Sequence, residues 1–125
     1  MKRITRIISS CLVVAAFSTA ALAEFKTIGD GANMQVDITN YPPNMKAIYP
    51  MFIKKCIKCH GLDRTFITIQ TGMTPSGAVF DNAAIEAYGA KMLRKPDSDM
   101  NKSETKQAVE LMKYMLQEAT KELTL

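Results

Sequence analysis

A single histidine, His60, serves all 125 residues of this chain, and there are three cysteines, Cys11, Cys56 and Cys59. That scarcity excludes a disulfide framework of the kind that staples small secreted domains. It also leaves a tetrahedral zinc centre incomplete, because Cys56, Cys59 and His60 stop at three ligands. Internal repeats and low-complexity tracts are missing. So is any acid, base and nucleophile grouping that would indicate substrate turnover, and the chain is not expected to be an enzyme. The apolar stretch from about Ile7 to Ala20 is interrupted by Ser9, Ser10, Ser18 and Thr19, and it falls short of the roughly 20 residues a membrane-spanning helix needs.

What the N-terminus does have is the layout of an export signal. Lys2, Arg3 and Arg6 precede the apolar stretch, and Ala21-Leu22-Ala23 follows it as a small-x-small cleavage site. Residues 1–23 are therefore expected to be a signal peptide removed on export to the periplasm, the alternative being an uncleaved anchor. Cys11 becomes an ordinary apolar signal residue. Taking 23 from 125 leaves 102 residues, one small domain with a marginal core. The charge changes as well. Without the leader's three basic residues, 13 of the 16 remain against 12 acidic ones, a net of +1. The sequence pI of about 9.0 therefore gives no ground for a nucleic-acid partner.

The run Cys56-Ile57-Lys58-Cys59-His60 carries the chemistry. Cysteines three apart on a helical turn present two sulfurs to one side, where they can form thioethers with the two vinyl groups of a porphyrin. A histidine directly after them supplies a proximal nitrogen to the iron, which makes Cys-x-x-Cys-His the attachment signature of haem c. A thioredoxin-like site would need a preceding strand, whereas the residues before Cys56 have helical character. A local disulfide is the plain alternative.

Four regions are expected after the leader. Residues 24–43, ending in Tyr41-Pro42-Pro43, form an extended arm or turn, since the double proline cannot continue a helix. A first helix runs from Pro50 to Cys59, with proline tolerated at its first position. Met51, Phe52, Cys56 and Cys59 lie on one face and Lys54, Lys55 and Lys58 elsewhere. Residues 61–81, punctuated by Gly61, Gly72, Pro75 and Gly77, form a loop with a β-like stretch at Thr65-Phe66-Ile67-Thr68-Ile69. A helix follows from Asn82 to Lys95, closed by Pro96. A last helix starts at a capping box, Asn101-x-x-Glu104, and places Val109, Met112, Met115, Leu116 and Ala119 on an apolar stripe ending near Glu122.

This layout resembles the class I monohaem cytochromes c: a helix bearing an aromatic residue into Cys56-Ile57-Lys58-Cys59-His60, a long loop, a middle helix, and a last helix carrying Val109 and Tyr114. The resemblance implies an all-α fold of three to four helices around one covalent haem c, in a domain spanning residues 44–125. It implies that the first and last helices cross near Phe52 and Tyr114. The chain departs from the family in its long arm, its short interval from motif to last helix, and its lack of a Met-Pro pair. The implied function is a soluble, monomeric electron carrier of the periplasm, exchanging electrons with donor and acceptor proteins. The alternatives are a subunit of a larger dehydrogenase or reductase, docked through its arm, and a five-coordinate haem that binds small gases.

With His60 used, bis-histidine ligation within the chain is excluded, and a methionine thioether is the natural distal ligand. Met112 and Met115 on the last helix are expected to pack. Met51 is too close to the motif, and Met34 and Met45 lie in or beside the arm. Met73 is only 13 residues past His60. In the family the distal methionine precedes the last helix's cap by an interval that, with Asn101 as cap, puts Met100 at the pre-cap position and favours Met92. Met100 itself is the competing ligand, because the segment Lys95-Pro96-Asp97-Ser98-Asp99 before it is loop-like. Lys54, Lys55 and Lys58, with Lys91, Arg94 and Lys95, could form a basic rim that steers acidic redox partners, or could be solvated helix faces. Asp97 and Asp99 weaken the rim.

Overall fold

The computed structural model describes residues 24–124; the expected signal peptide at 1–23, with Cys11, lies outside them. Among the described residues the chain is mostly helical, as expected. The first helix, α1, is Pro43–Cys56. Pro43 opens it, and Pro50, expected to open it, lies in its interior. A proline there removes one ladder bond and costs about 3 kcal/mol. The compensation is a continuous buried stripe on both sides of it: Met45, Ile48, Tyr49, Phe52 and Cys56. The helix also stops at Cys56, short of the expected Cys59.

The second helix, α2, is Leu62–Thr71, where a loop with a β-like stretch was expected. Leu62, Phe66 and Ile69 are buried along one face, a helical spacing that the β-branched threonines and isoleucines between them obscure. Gly72 ends it in the left-handed conformation, φ 67°, its N–H donating to Thr68 O at 2.9 Å. The loop that follows doubles back through an isolated bridge between Met73 and Val79 and buries Phe80. The third helix, α3, is Asn82–Arg94, capped by Asp81 Oδ1, which accepts from Ala84 N at 2.9 Å. It agrees with the expected span to within one residue.

A 3-10 turn at Pro96–Ser98 leads to Asp99, which adopts φ 51°. The last helix, α4, is Lys102–Leu123 with the expected capping box intact: Asn101 N donates to Glu104 Oε2 at 3.0 Å and Glu104 N to Asn101 Oδ1 at 2.8 Å. α4 packs against α1, α2 and α3, burying Ala108, Leu111, Met112, Met115, Leu116 and Ala119. It meets α3 most closely at Gly89, where a Cβ would fall 2.5 Å from Val109 Cγ2. Phe52, Phe66, Ile69, Ile85, Leu111 and Met115 form the fully buried centre.

The N-terminal arm is not simply extended. Strand β1 (Thr27–Ile28) pairs antiparallel with β2 (Gln35–Val36). Phe25, Val36 and Tyr41 are buried in the same core as the helices, and Val36 N donates to Tyr49 Oη of α1 at 2.9 Å. The aromatic pairs follow this arrangement. Phe52 lies 6.4 Å from Phe66 of α2, and Tyr114 makes an edge contact with Tyr41 of the arm at 4.9 Å. α1 and α4 do pack together, but each of these two rings finds its aromatic partner in another segment. No helix among the described residues is long and apolar enough to cross a membrane.

Candidate haem site

Cys56 is the last residue of α1 and is buried; Cys59 and His60 lie in the turn that follows and are exposed. The two cysteines therefore do not share one regular helical turn, although Ile57 between them keeps helical dihedrals and donates to Ile53 O at 3.3 Å. Both thiols are free. Burial, with Cys59 close by as a lesser cause, pushes the Cys56 thiol up to about 11, so it is protonated at neutral pH. His60 Nδ1 is 3.0 Å from Gly61 O, a contact that holds the ring from its Nδ1 side and leaves Nε2 for another partner. Among the described residues no three His, Cys, Asp or Glu side chains converge as a metal cluster, so Cys56, Cys59 and His60 do not form a zinc-like grouping.

The motif borders a cavity of about 270 Å³ that draws a wall from every helix. α1 contributes Phe52 and Cys56. His60 and the α2 residues Arg64, Thr65 and Thr68 form a second side. Pro75 and Phe80 come from the following loop, Tyr88 and Met92 from α3, and Met112 from α4. One imidazole and two thioethers thus share an apolar enclosure with a cysteine of the motif. This donor set suits a haem iron, which takes imidazole and thioether together. The residues present fit the group in chemistry. Cys56, Cys59 and His60 would hold it, and the iron would supply one-electron chemistry. In volume the cavity lies near the lower edge of ordinary ligand sites, and Cys59 is not among its walls.

The methionines separate clearly. Met92 is half-buried and lines the same cavity as His60, from the α3 side. Met100, directly before the cap residue Asn101, is half-buried against the core and absent from the cavity. Met73 is 51 % exposed and is also absent from it. Met112, expected only to pack, is buried and lines the cavity as well. Its place on the α4 stripe signalled burial, and nothing in the spacing signalled which buried space it would face. Arg64, Thr68 and Tyr88 were likewise not singled out. A larger and more open groove of about 840 Å³ lies elsewhere, lined by Met45, Tyr114 and the charged Glu110, Lys113 and Lys121 among others. It contains no histidine or cysteine.

The expected basic rim is partly neutralised. Lys58, inside the motif, and Lys55 both reach Asp99: Lys58 Nζ lies 2.5 Å and Lys55 Nζ 3.2 Å from Asp99 Oδ2, and Lys55 Nζ donates to Asp99 O at 2.5 Å. Lys55 also lies 3.6 Å from Glu104. The Lys58 ammonium first, then Lys55, holds the Asp99 carboxyl below the usual carboxylate range, and the bond to Asp99 raises Lys55. Lys54, Lys91, Arg94 and Lys95 make no ion pair among the described residues. No family model, curated protein or solved structure matches this chain.

Proposed function

We propose that the chain is an exported electron carrier in the manner of a class I monohaem cytochrome c, with one haem c joined to Cys56 and Cys59. His60 is its proximal ligand and Met92 its distal one. The observation that carries this is the common cavity: His60, Met92 and Cys56 all border one space with largely apolar walls. The Cys-x-x-Cys-His run and the leader-like N-terminus supply the independent sequence support. The apolar walls from Phe52, Phe80 and Met112 would exclude water from the iron, and the four unpaired cations outside would face its redox partners.

The subunit alternative is less favoured, because Phe25, Val36 and Tyr41 of the arm are spent on the chain's own core, leaving Ile28 as its exposed large apolar side chain. The gas-binding alternative needs a haem face without a thioether, and two thioethers border this cavity.

The test is expression of the full chain with a haem-attachment system. A covalent haem should survive denaturing electrophoresis, one per chain by pyridine haemochrome. The ferric protein should show the long-wavelength methionine–iron charge-transfer band. Met92→Ala should abolish that band, and Met100→Ala should leave it. Loss in M112A alone would move the distal ligand to α4, and loss in M100A alone would overturn Met92. Absence of covalent haem would end the electron-carrier proposal.

A further inference from the structure

The cavity is not apolar all round. Its α2 wall is a short polar stripe made of Arg64, Thr65 and Thr68, residues spaced so that one helical face carries them all. Arg64 makes no ion pair among the described residues. The threonine hydroxyls are distinctive too. Elsewhere in the helices Thr71, Thr105 and Thr120 donate back to the carbonyl four residues earlier, at 2.7–2.9 Å. No such bond is made by Thr65 or Thr68, although Thr68 is 92 % buried, with 8 % exposure. Among the described residues Tyr41 Oη is the only fully enclosed side-chain oxygen or nitrogen without a partner, so the Thr68 hydroxyl, on a buried residue that lines the cavity, is open to that space and free to bond a ligand there. Arg64, exposed at the edge of the same cavity one helical turn before Thr68, adds a charge that suits an acceptor with negative charge and two oxygens.

We propose that this stripe is a carboxylate-binding subsite, and that Arg64 and Thr68 hold a propionate of the haem, with Thr65 beside them. The proposal rests on the haem reading above. It explains why a polar strip interrupts one wall only. An amphipathic cofactor with an apolar vinyl edge and an anionic propionate edge needs an enclosure with the same asymmetry. The apolar sides from α1, α3 and α4 meet the first requirement, and the α2 stripe meets the second. In this arrangement Arg64 and Thr68 are positioning residues. The two thioethers set the ring's rotation; Arg64 and Thr68 would hold the propionate in one orientation, and Arg64 would offset the carboxylate's charge near the iron.

Three variants of the haem-loaded full chain test this: Arg64→Gln, Arg64→Lys and Thr68→Val. The propionate bending band in the resonance Raman spectrum reports hydrogen bonding to that carboxylate directly. It should move to lower frequency in R64Q and T68V and stay near the wild-type position in R64K. The midpoint potential should fall in R64Q and be largely kept in R64K. The methionine–iron band, measured on the same samples, should be present in all three. An unshifted propionate band in both R64Q and T68V, with haem attached, would overturn the subsite and leave the electron-carrier reading standing. A wild-type protein without covalent haem would instead sink the electron-carrier reading, and the subsite with it.

Discussion

At the scale of single residues, the two cysteines of the motif are chemically unequal. A thiol whose pKa sits near 11 has only about one part in a thousand as thiolate at pH 8, and Cys56 is also buried. In haem-free protein, iodoacetamide should therefore alkylate exposed Cys59 first, with Cys56 protected until denaturant is added. Peptide mass mapping over time checks the order. Simultaneous labelling would mean that the end of α1 opens in the folded state. Tyr41 offers a second prediction. Its hydroxyl is buried and makes no hydrogen bond among the described residues. Burial, then the neighbouring Tyr114 and Glu118, raises its pKa. Removing an unsatisfied hydroxyl costs little and can help, so Tyr41→Phe should be neutral or more stable by up to about 1 kcal/mol in urea unfolding. A clear loss of stability would reveal a partner for that oxygen.

At the scale of elements, Asp99 ties the α3–α4 connection to the end of α1. A carboxylate with a depressed folded pKa contributes stability above its unfolded value of about 3.9, and the contribution fades as pH falls through the folded value. Lys55, raised by the same bond, contributes below its unfolded value near 10.4 and stops contributing as pH rises through the folded one. The strap is therefore whole between about pH 4 and 10. Asp99→Asn should lower the thermal midpoint within that window and flatten its decline below pH 4; parallel curves for both proteins would show that the strap adds nothing. Gly89 makes a different prediction. Its replacement by alanine gains about 1 kcal/mol of helix propensity but drives a methyl into Val109, whose branched side chain has little room to turn. Overpacking of this kind costs about 1–3 kcal/mol. G89A should be destabilised in denaturant, and the double variant G89A/V109A should recover.

These elements were unequally legible in the chain. α4 could be placed because its start is written in the side chains of Asn101 and Glu104, and α3 because Ile85, Tyr88 and Met92 recur at helical spacing before Pro96; the Asp81 cap of α3 went unread. α2 could not. Thr65, Ile67, Thr68 and Ile69 are strand formers by intrinsic preference, and the packing of Leu62, Phe66 and Ile69 against the rest of the core overrides them. The start of α1 was read at Pro50 and missed at Pro43, since either proline suits a first helical position. Only the burial of Met45, Ile48 and Tyr49 selects Pro43. For the candidate site, five adjacent residues suggest the proposed chemistry, yet the company of Met92 and Met112 at one cavity depends on how the helices converge. No spacing along the chain encodes that.

At the scale of the whole molecule, the interior is small and centred on few residues. Phe52 is fully buried, and deleting such a ring typically costs about 3–5 kcal/mol out of roughly 5–15 for a domain. Phe52→Ala should leave the haem-free chain largely unfolded by circular dichroism, with covalent haem attachment restoring part of the helix signal. α4 has a further consequence. Because the last helix packs against each of the other three, no earlier portion of the chain can close its interior until residues 102–123 have been synthesised. The order of synthesis thus sets a period during which Cys56 is still open to chemistry, and arrival of residues 102–123 ends it. A chain terminated at 101 should expose Cys56 to thiol reagents as freely as Cys59. On this view the C-terminal helix acts as a clock for the maturation of the protein.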